Sequence, residues 1–378
     1  MRLLRSSPPI KADGQREKIL LVQTSFLGDV VLTTPLIAEI KRRFPQAHLS
    51  VLCKAQVQGL LENNRAIDEV LAYDKAGTQR GLAALWEKAR DLRQHEFTIA
   101  ISPHKSFRTA LLLFLAGIPC RIGFRQSAGW FLYHYRADRI TSRHDVERNL
   151  SILAALGIDP SKCQRDLQLE TDTAARQSVA LAFQTCGIQR NGDQLLFGLS
   201  PGSVWPMKRW HLEGYAQVIR DLKKAYACEV LLFGASEDRD TVGKLQQLTG
   251  SLGVDLVGRF DLRELPAAID WCDLFICNDT GPMHVAVARG VPVVAIFCAT
   301  TPSLGFYPYS SKAIVVEKDL HCRPCSPHGG LRCPLGTEDC IRLIHPGHVL
   351  EAVRELLRAR DRVCSPGEDA HRPRFMTY

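Results

Sequence analysis

The chain predicts an α/β protein of two doubly wound parallel sheets facing a central cleft, and three observations carry that expectation. Apolar runs of strand length alternate with segments of helical periodicity along most of its 378 residues. One polar, weakly patterned stretch, 157–194, interrupts the alternation, which then resumes. Three loops that follow apolar runs, at 24–29, 200–210 and 278–281, combine Gly with Asp29, Lys208 or Asp279. Ligands in open α/β sheets bind at the carboxyl ends of strands, where these loops fall.

Lys18 to Gln23 is a near-continuous apolar run, as expected of a strand buried on both faces. A loop through Asp29 follows, and from Val30 the positions Val31, Leu36, Ile40 and Phe44 keep helical spacing until Pro45. Strands are predicted at Leu49–Cys53, Glu69–Tyr73 and Phe97–Ser102, and helices at Leu82–Gln94, Arg108–Ala116 and Val146–Leu156. Within 157–194 only Ala174–Phe183 looks helical. The second series predicts strands at 195–199, 229–233, 274–277 and 291–297, with helices at 213–224, 238–248, 262–271 and after Gly281. A last helix is predicted at Pro346–Arg358. The organisation expected is a disordered leader 1–17, a first domain 18–156, a linker region 157–194, a second domain 195–360 with a Cys-rich segment 321–340, and a loosely ordered tail 361–378.

Hydrophobic residues make up 46% of the chain, enough for one large or two medium cores, and the net charge of +8 suits an anionic ligand, nucleic acid or an anionic membrane surface. No apolar run approaches the ~18–20 residues of a membrane span, and residues 1–17 lack the apolar centre of a signal peptide. Thirteen cysteines without an export signal read as reduced thiols in the cytoplasm, some available to metal. No Gly-x-Gly-x-x-Gly follows a predicted strand, which disfavours a dinucleotide enzyme. The chain also lacks a Walker lysine and an RNA-recognition aromatic motif, so nucleic acid is not an expected partner.

Asn278-Asp279-Thr280-Gly281 closes a strand and opens a helix, with Pro282 in the first turn; such a turn aims backbone N–H groups and the helix dipole at one point, which favours phosphate. In the loop from Ser200 to Trp210, Gly202 permits close backbone approach, Ser203 offers a hydroxyl, and Lys208 and Arg209 add positive charge. Trp205 and Trp210 read as packing residues. Asp29, after Gly28, is placed either as a helix cap or as a general base.

Thr24-Ser25-Phe26-Leu27-Gly28-Asp29-Val30, the Ser200–Trp210 loop with its Lys-x-Trp, and Asn278 to His284 occur in an order and spacing that resembles the ADP-heptose:lipopolysaccharide heptosyltransferases, glycosyltransferase family 9, of the heptosyltransferase II type. The resemblance spans roughly 18–358. It implies a GT-B fold, an ADP-heptose donor in the second domain, a Kdo-lipid A-type acceptor in the first, and inversion without a catalytic metal or other cofactor. It further implies a cytoplasmic protein in peripheral contact with the inner face of the cytoplasmic membrane. By resemblance Asp29 matches the base that deprotonates the acceptor hydroxyl and Lys208 the lysine that neutralises the departing diphosphate. Ser203, Asp279, Thr280, Gly281 and His284 match donor-contacting positions, and Glu237 an acid that reaches the nucleotide.

Lys105, Ser106 and Arg108, with Arg121, Arg125, Arg143 and Arg148, form a basic set suited to an anionic acceptor. Cys322, Cys325, Cys333 and Cys340 supply four thiols in one short segment, a spacing that can close a tetrahedral structural zinc or iron site, with His321 and His328 as substitutes. Family members that glycosylate autotransporter proteins resemble this with a cysteine-held iron, which keeps a protein acceptor as an alternative. A nucleotide-binding module without catalysis is the alternative from another class.

Overall fold

The computed structural model describes residues 17–74, 81–190, 192, 194–359 and 369–378. The expected leader, apart from residue 17, and tail residues 361–368 lie outside them. The chain divides into two compact units, Met1–Glu170 and Thr171–Tyr378.

In the first unit β1 (Lys18–Gln23) is followed by α1 (Leu27–Val31) and α2 (Thr34–Arg43), then β2 (His48–Cys53), β3 (Glu69–Ala72), α3 (Gly81–Gln94), β4 (Ile99–Ser102), α4 (Phe107–Leu115), β5 (Cys120–Phe124), β6 (Tyr135–Ala137) and α5 (Asp145–Leu150). The six strands are all parallel in the order β3-β2-β1-β4-β5-β6. Strand order therefore reverses between β1 and β4. Leu20, Val22 and Ala100 point to one face of the sheet, where Leu85, Ala89, Leu92, Leu112 and Leu113 of α3 and α4 cover them.

The single helix expected from Val30 is two helices, and it begins earlier. Thr33 separates them: its hydroxyl donates to the Asp29 carbonyl (2.7 Å) and accepts from Gln23 Nε2 (2.9 Å). Pro35, near the start of α2, has no N–H to continue the α1 ladder. The expected helix 146–156 is also divided, into α5 and a 3-10 segment Ser151–Leu156 that ends at Gly157, with φ of 76°.

The second unit contains α6 (Thr173–Thr185), β7 (Leu195–Ser200), α7 (Leu212–Ala225), β8 (Cys228–Leu232), α8 (Arg239–Thr249), β9 (Val254–Asp255), α9 (Leu265–Ile269), β10 (Leu274–Asn278), α10 (Gly281–Ala288), β11 (Val293–Phe297), β12 (Ala313–Glu317), α11 (Asp339–Arg342), α12 (Pro346–Ala359) and β13 (Arg374–Thr377). Its parallel sheet runs β13-β12-β11-β10-β7-β8-β9, the same winding, with the reversal between β7 and β10. Every residue of β10 and of β11 is buried, which explains their unbroken apolar runs. α7 buries Tyr215, Val218, Ile219 and Leu222, and α12 buries Val349, Ala352, Val353 and Leu356; both follow the i, i+3, i+4, i+7 stripe of a helix laid on a sheet.

Two expectations about organisation change. The helix within the supposed linker, α6, belongs to the second unit: Phe183 packs edge-on against Trp271 at 4.8 Å and Ser178 Oγ donates to Glu264 at 2.6 Å. The tail is not uniformly loose, because residues 374–377 add β13 to the edge of β12.

Candidate active site

At the β7/β10 reversal, Asn278 is fully buried and ties the two strand ends together. Its Oδ1 accepts from the Trp210 N–H (3.0 Å) and the Tyr215 hydroxyl (2.9 Å), and its Nδ2 donates to the Pro201 carbonyl (2.8 Å). Those bonds hold the loop from β7 beside the turn from β10. Lys208 Nζ then lies 2.6 Å from Asp279 Oδ2, and Thr300 Oγ1, from the end of β11, donates to the same oxygen at 2.7 Å. Behind them His284 is buried, and its Nδ1 has no hydrogen-bond partner among the described residues. Burial lowers its pKa to about 4, with Asp279 pulling up and Lys208 pushing down, so the imidazole is neutral at physiological pH.

The remaining donor-side candidates divide. Thr280 precedes α10 and Gly281 begins it. Ser203 Oγ accepts from its own loop, the Trp205 N–H at 3.4 Å, while Arg209 Nε donates to the Ser203 carbonyl at 2.7 Å and so braces the loop. Gly202 does allow a close approach: an added Cβ would come within 2.2 Å of the Asp238 carboxylate. Glu237 is exposed beyond β8 and accepts from the Ser236 hydroxyl at 3.0 Å. Trp210 is a buried packing residue whose Nε1 donates to the Ile344 carbonyl at 3.0 Å.

The Cys-rich segment packs directly on the Lys208 loop. His328 stacks on Trp205 with ring centroids 5.8 Å apart, Met207 N donates to the Gly330 carbonyl at 3.4 Å, and Cys325 N donates to the Ala299 carbonyl at 3.2 Å. Gly329, with φ of +86°, sits so near Lys208 that an added Cβ would be 3.0 Å from its Cγ. Cys340 is buried in the core, with Cys325 and Cys333 packed against that core. Burial first, against the opposing charge of Arg323, and then the neighbouring thiols Cys325, Cys333 and Cys322 push Cys340 up to about 11. Cys333 shifts the other way, because the Glu338 N–H and then those of Leu335, Gly336 and Thr337 stabilise its thiolate. Among the described residues no three His, Cys, Asp or Glu side chains are grouped closely enough to hold a metal ion.

In the first unit Asp29 lies in α1, on the β1 side of the β1/β4 reversal, half-buried, with Oδ2 accepting from the Phe26 N–H at 3.1 Å. It is thus neither a simple cap for a helix from Val30 nor fully committed to the backbone. Burial, and next the charge of Asp145, raise its pKa to about 6 against the opposing pull of the Phe26 N–H, Lys54 and Arg139. Lys54, directly after β2, lies over the Phe26 ring at 4.2 Å. Asp145 is buried and held by Arg139, by Arg148 (3.6 Å) and by Asn149 Nδ2 (3.3 Å).

The expected basic set does not stay together. Lys105, after β4, joins this charged group: partial desolvation, then Arg139, lower its pKa, while Asp145 raises it. Ser106 precedes α4 as its cap residue. Arg108 donates to the Tyr73 hydroxyl (2.8 Å) and the Gly81 carbonyl (3.1 Å). Arg121 is buried and donates to the Leu132 and Ile118 carbonyls, and Arg148 donates to the Thr141 carbonyl, so these arginines brace the fold. Arg125 pairs with Asp138 at 3.4 Å and Arg143 with Glu147 at 3.8 Å, both near the surface. The sequence reading passed over Lys54, Arg139, Asp145 and Thr300. Lys54 and Thr300 follow closely on strands that the sequence does predict, so extending the strand-end rule to every predicted strand would have found them; Arg139 follows β6, which the sequence does not mark.

The family model described as glycosyltransferase family 9 (heptosyltransferase) matches residues 85–330, a span that includes Lys208 and Asp279 but not Asp29. A lipooligosaccharide heptosyltransferase 2 of Campylobacter jejuni is 26% identical over 346 residues, 90% of this chain and 98% of that protein. Among solved structures, a glycosyl transferase family 9 protein from Veillonella parvula superposes with a TM-score of 0.80 at 27% identity, covering 92% of this chain and 99% of that one. The ADP-heptose lps heptosyltransferase II of E. coli gives a TM-score of 0.72 at 25% identity, covering 91% and 99%.

Proposed function

Because the chain belongs to glycosyltransferase family 9, we propose that it transfers heptose from ADP-heptose to the inner core of lipopolysaccharide, on a Kdo-lipid A-type acceptor. The single observation that carries the chemistry is Asp29, a carboxyl whose pKa is raised to about 6 at a strand-order reversal with Lys54 and Arg139 beside it. A base needs such a pKa to be ionised at neutral pH and still accept a proton. The acceptor hydroxyl oxygen attacks the anomeric carbon and its proton passes to Asp29, while the bond from that carbon to the diphosphate breaks. ADP leaves with the electron pair, inverting the centre. Lys208 takes up the charge that grows on the leaving diphosphate, and no metal takes part in the transfer.

Ser203, Glu237, Thr280, Gly281 and His284 line the donor's side in this reading, with Asp279 holding Lys208 in place. Lys54, Lys105 and Arg139 meet the anionic groups of the acceptor. The enzyme works in the cytoplasm in peripheral contact with the inner face of the membrane; among the described residues no helix is long and apolar enough to cross one. A structural zinc or iron at Cys322, Cys325, Cys333 and Cys340 is a separate proposal. Its support is the proximity of Cys325 and Cys340 to the neighbouring thiols, whose charges raise their pKa values, and the backbone amides around Cys333; binding would draw the thiols closer than they now lie.

Incubation with ADP-heptose and defined Kdo-lipid A acceptors, followed by mass spectrometry, tests the function. The expected result is an acceptor heavier by one heptose with one ADP released. Protein that binds ADP but modifies none of these acceptors overturns it.

A further inference from the structure

One face of the first unit takes no part in the transfer chemistry. α4 places Phe107, Leu111 and Phe114 at i, i+4 and i+7, one stripe of the helix, and leaves the rings of Phe107 and Phe114 47% and 49% exposed. Beside it the 3-10 turn Trp130–Leu132 holds up Trp130 and Phe131, 49% and 59% exposed. Phe131 lies 6.3 Å from Phe107 and 6.0 Å from Trp130, ring centre to ring centre. The turn is clamped to α4: an added Cβ at Gly129 would meet the Ala110 Cβ at 2.4 Å, and Ala128 N donates to the Lys105 carbonyl at 3.1 Å. Large rings fixed in water forgo the burial that stabilises the rest of the core, which marks the patch as a contact surface.

Cations frame the rings. The Arg136 guanidinium lies over Trp130 at 5.1 Å and that of Arg121 over Phe114 at 5.4 Å. The segment 105–143 holds seven lysines and arginines and a single acid, Asp138; with Arg139 and Arg143 paired to Asp145 and Glu147, the other five cations less Asp138 leave a net +4. We propose that this aromatic, arginine-framed face seats on an anionic lipid bilayer, with Phe107, Phe114, Trp130 and Phe131 entering the boundary between headgroups and acyl chains. Aromatic rings favour that boundary, and each cation near an anionic surface adds attraction. A second copy of the chain is the poorer occupant, because it would bring one strongly positive face against another. The proposal rests on the lipid-linked acceptor of the preceding section and identifies the surface that meets its membrane.

The test is flotation of the full chain with vesicles of phosphatidylcholine alone and of phosphatidylcholine mixed with phosphatidylglycerol. Partition into the mixed vesicles should be stronger by about tenfold or more and should fall with added salt. The Trp130→Ala/Phe131→Ala variant should lose about tenfold or more of that partition, because the apolar area entering the boundary shrinks. Its melting temperature and its turnover on a soluble, deacylated acceptor should be unchanged, whereas turnover on acceptor embedded in vesicles falls. Phe131→Gln, a milder change at the most exposed of these rings, should show a smaller loss in the same direction and serves if the double variant fails to fold. Equal partition of wild type and variants overturns the proposal, as does absence of wild-type partition into the mixed vesicles. A wild-type dimer that the variants convert to monomer, without vesicle binding, assigns the face to self-association and also overturns it. Failure of heptose transfer on every acceptor would sink the function but leave the vesicle result to decide this surface.

Discussion

Asp279 Oδ2 is shared by two donors, Lys208 Nζ at 2.6 Å and Thr300 Oγ1 at 2.7 Å. Three strand ends, of β7, β10 and β11, therefore meet at one carboxylate oxygen, and the lysine is held before any ligand arrives. Both partners are largely buried, 15% and 6% exposed at the side chain. The pair fixes the ammonium where a diphosphate can share it, which lowers the ordering cost of binding.

Lys208→Ala should accordingly do two things. ADP affinity and turnover should fall together, and the protein should lose about 3 kcal/mol of stability because Asp279 is left buried without its cation. The Lys208→Ala/Asp279→Asn double variant should recover part of the stability and none of the ADP affinity. Calorimetric titration with ADP and urea unfolding read the two effects separately; unchanged ADP binding in Lys208→Ala removes the lysine from the site.

Asp29→Asn keeps the shape of the side chain and removes the base, so turnover should fall by about 10²- to 10⁴-fold with ADP binding intact. For the wild type, kcat/KM should rise with pH up to about 6, the Asp29 pKa, and level off above it. That limb should be missing from the variant's residual activity. The same raised pKa gives the opposite trend in stability: the folded state keeps a proton that the unfolded chain releases from 3.8 upward, so this contribution fades as pH rises toward 6. A pH–rate profile of the pair checks the assignment, and an identical acidic limb in both proteins counts against it.

His284 works in the other direction. Its pKa is about 4 when folded against 6.5 for the free side chain, so the unfolded chain takes up a proton first as pH falls. Stability from the neutral imidazole is complete above 6.5 and is lost between 6.5 and about 4. His284→Leu should flatten the stability curve in that window, whatever it does to donor binding. Urea unfolding at a series of pH values decides this, and parallel curves for the two proteins would contradict a buried neutral histidine.

If Cys322, Cys325, Cys333 and Cys340 hold one ion, protein purified without chelator should carry one zinc or iron per chain and lose it in the Cys322→Ser/Cys325→Ser variant. Since His328 stacks on Trp205 and Gly329 abuts Lys208, loss of the ion should also raise the KM for the donor. Metal-free wild-type protein with four titratable thiols would reject the site.

The two α/β units and the loops that matter are legible in the residue order alone. Strands buried on both faces are near-continuous apolar runs, as at 18–23, 195–199 and 274–277; the loops that follow them carry Asp29, Lys208 and Asp279, where a parallel sheet exposes its ligand-facing ends. Strands β5, β6 and β9 escaped that reading because an Arg-Ile-Gly core, or a length of two or three residues, carries no apolar period; they are strands through their neighbours. β13 is of the same kind, an exposed edge that pairs with β12 from 57 positions or more along the chain. β12 itself, the apolar run 313–317, carries the strand signal and is absent from the expected strands. Which charges are used internally and which reach the site depends on the folded arrangement. Arg121 and Arg148 look like ligands in the sequence, yet their guanidinium groups satisfy backbone carbonyls in the interior, whereas Lys54, Arg139 and Asp145 are gathered around Asp29. The physical reason is that a buried cation must find acceptors wherever the fold leaves them, and the order of strands in the sheet, not spacing along the chain, determines which carbonyls and carboxylates those are.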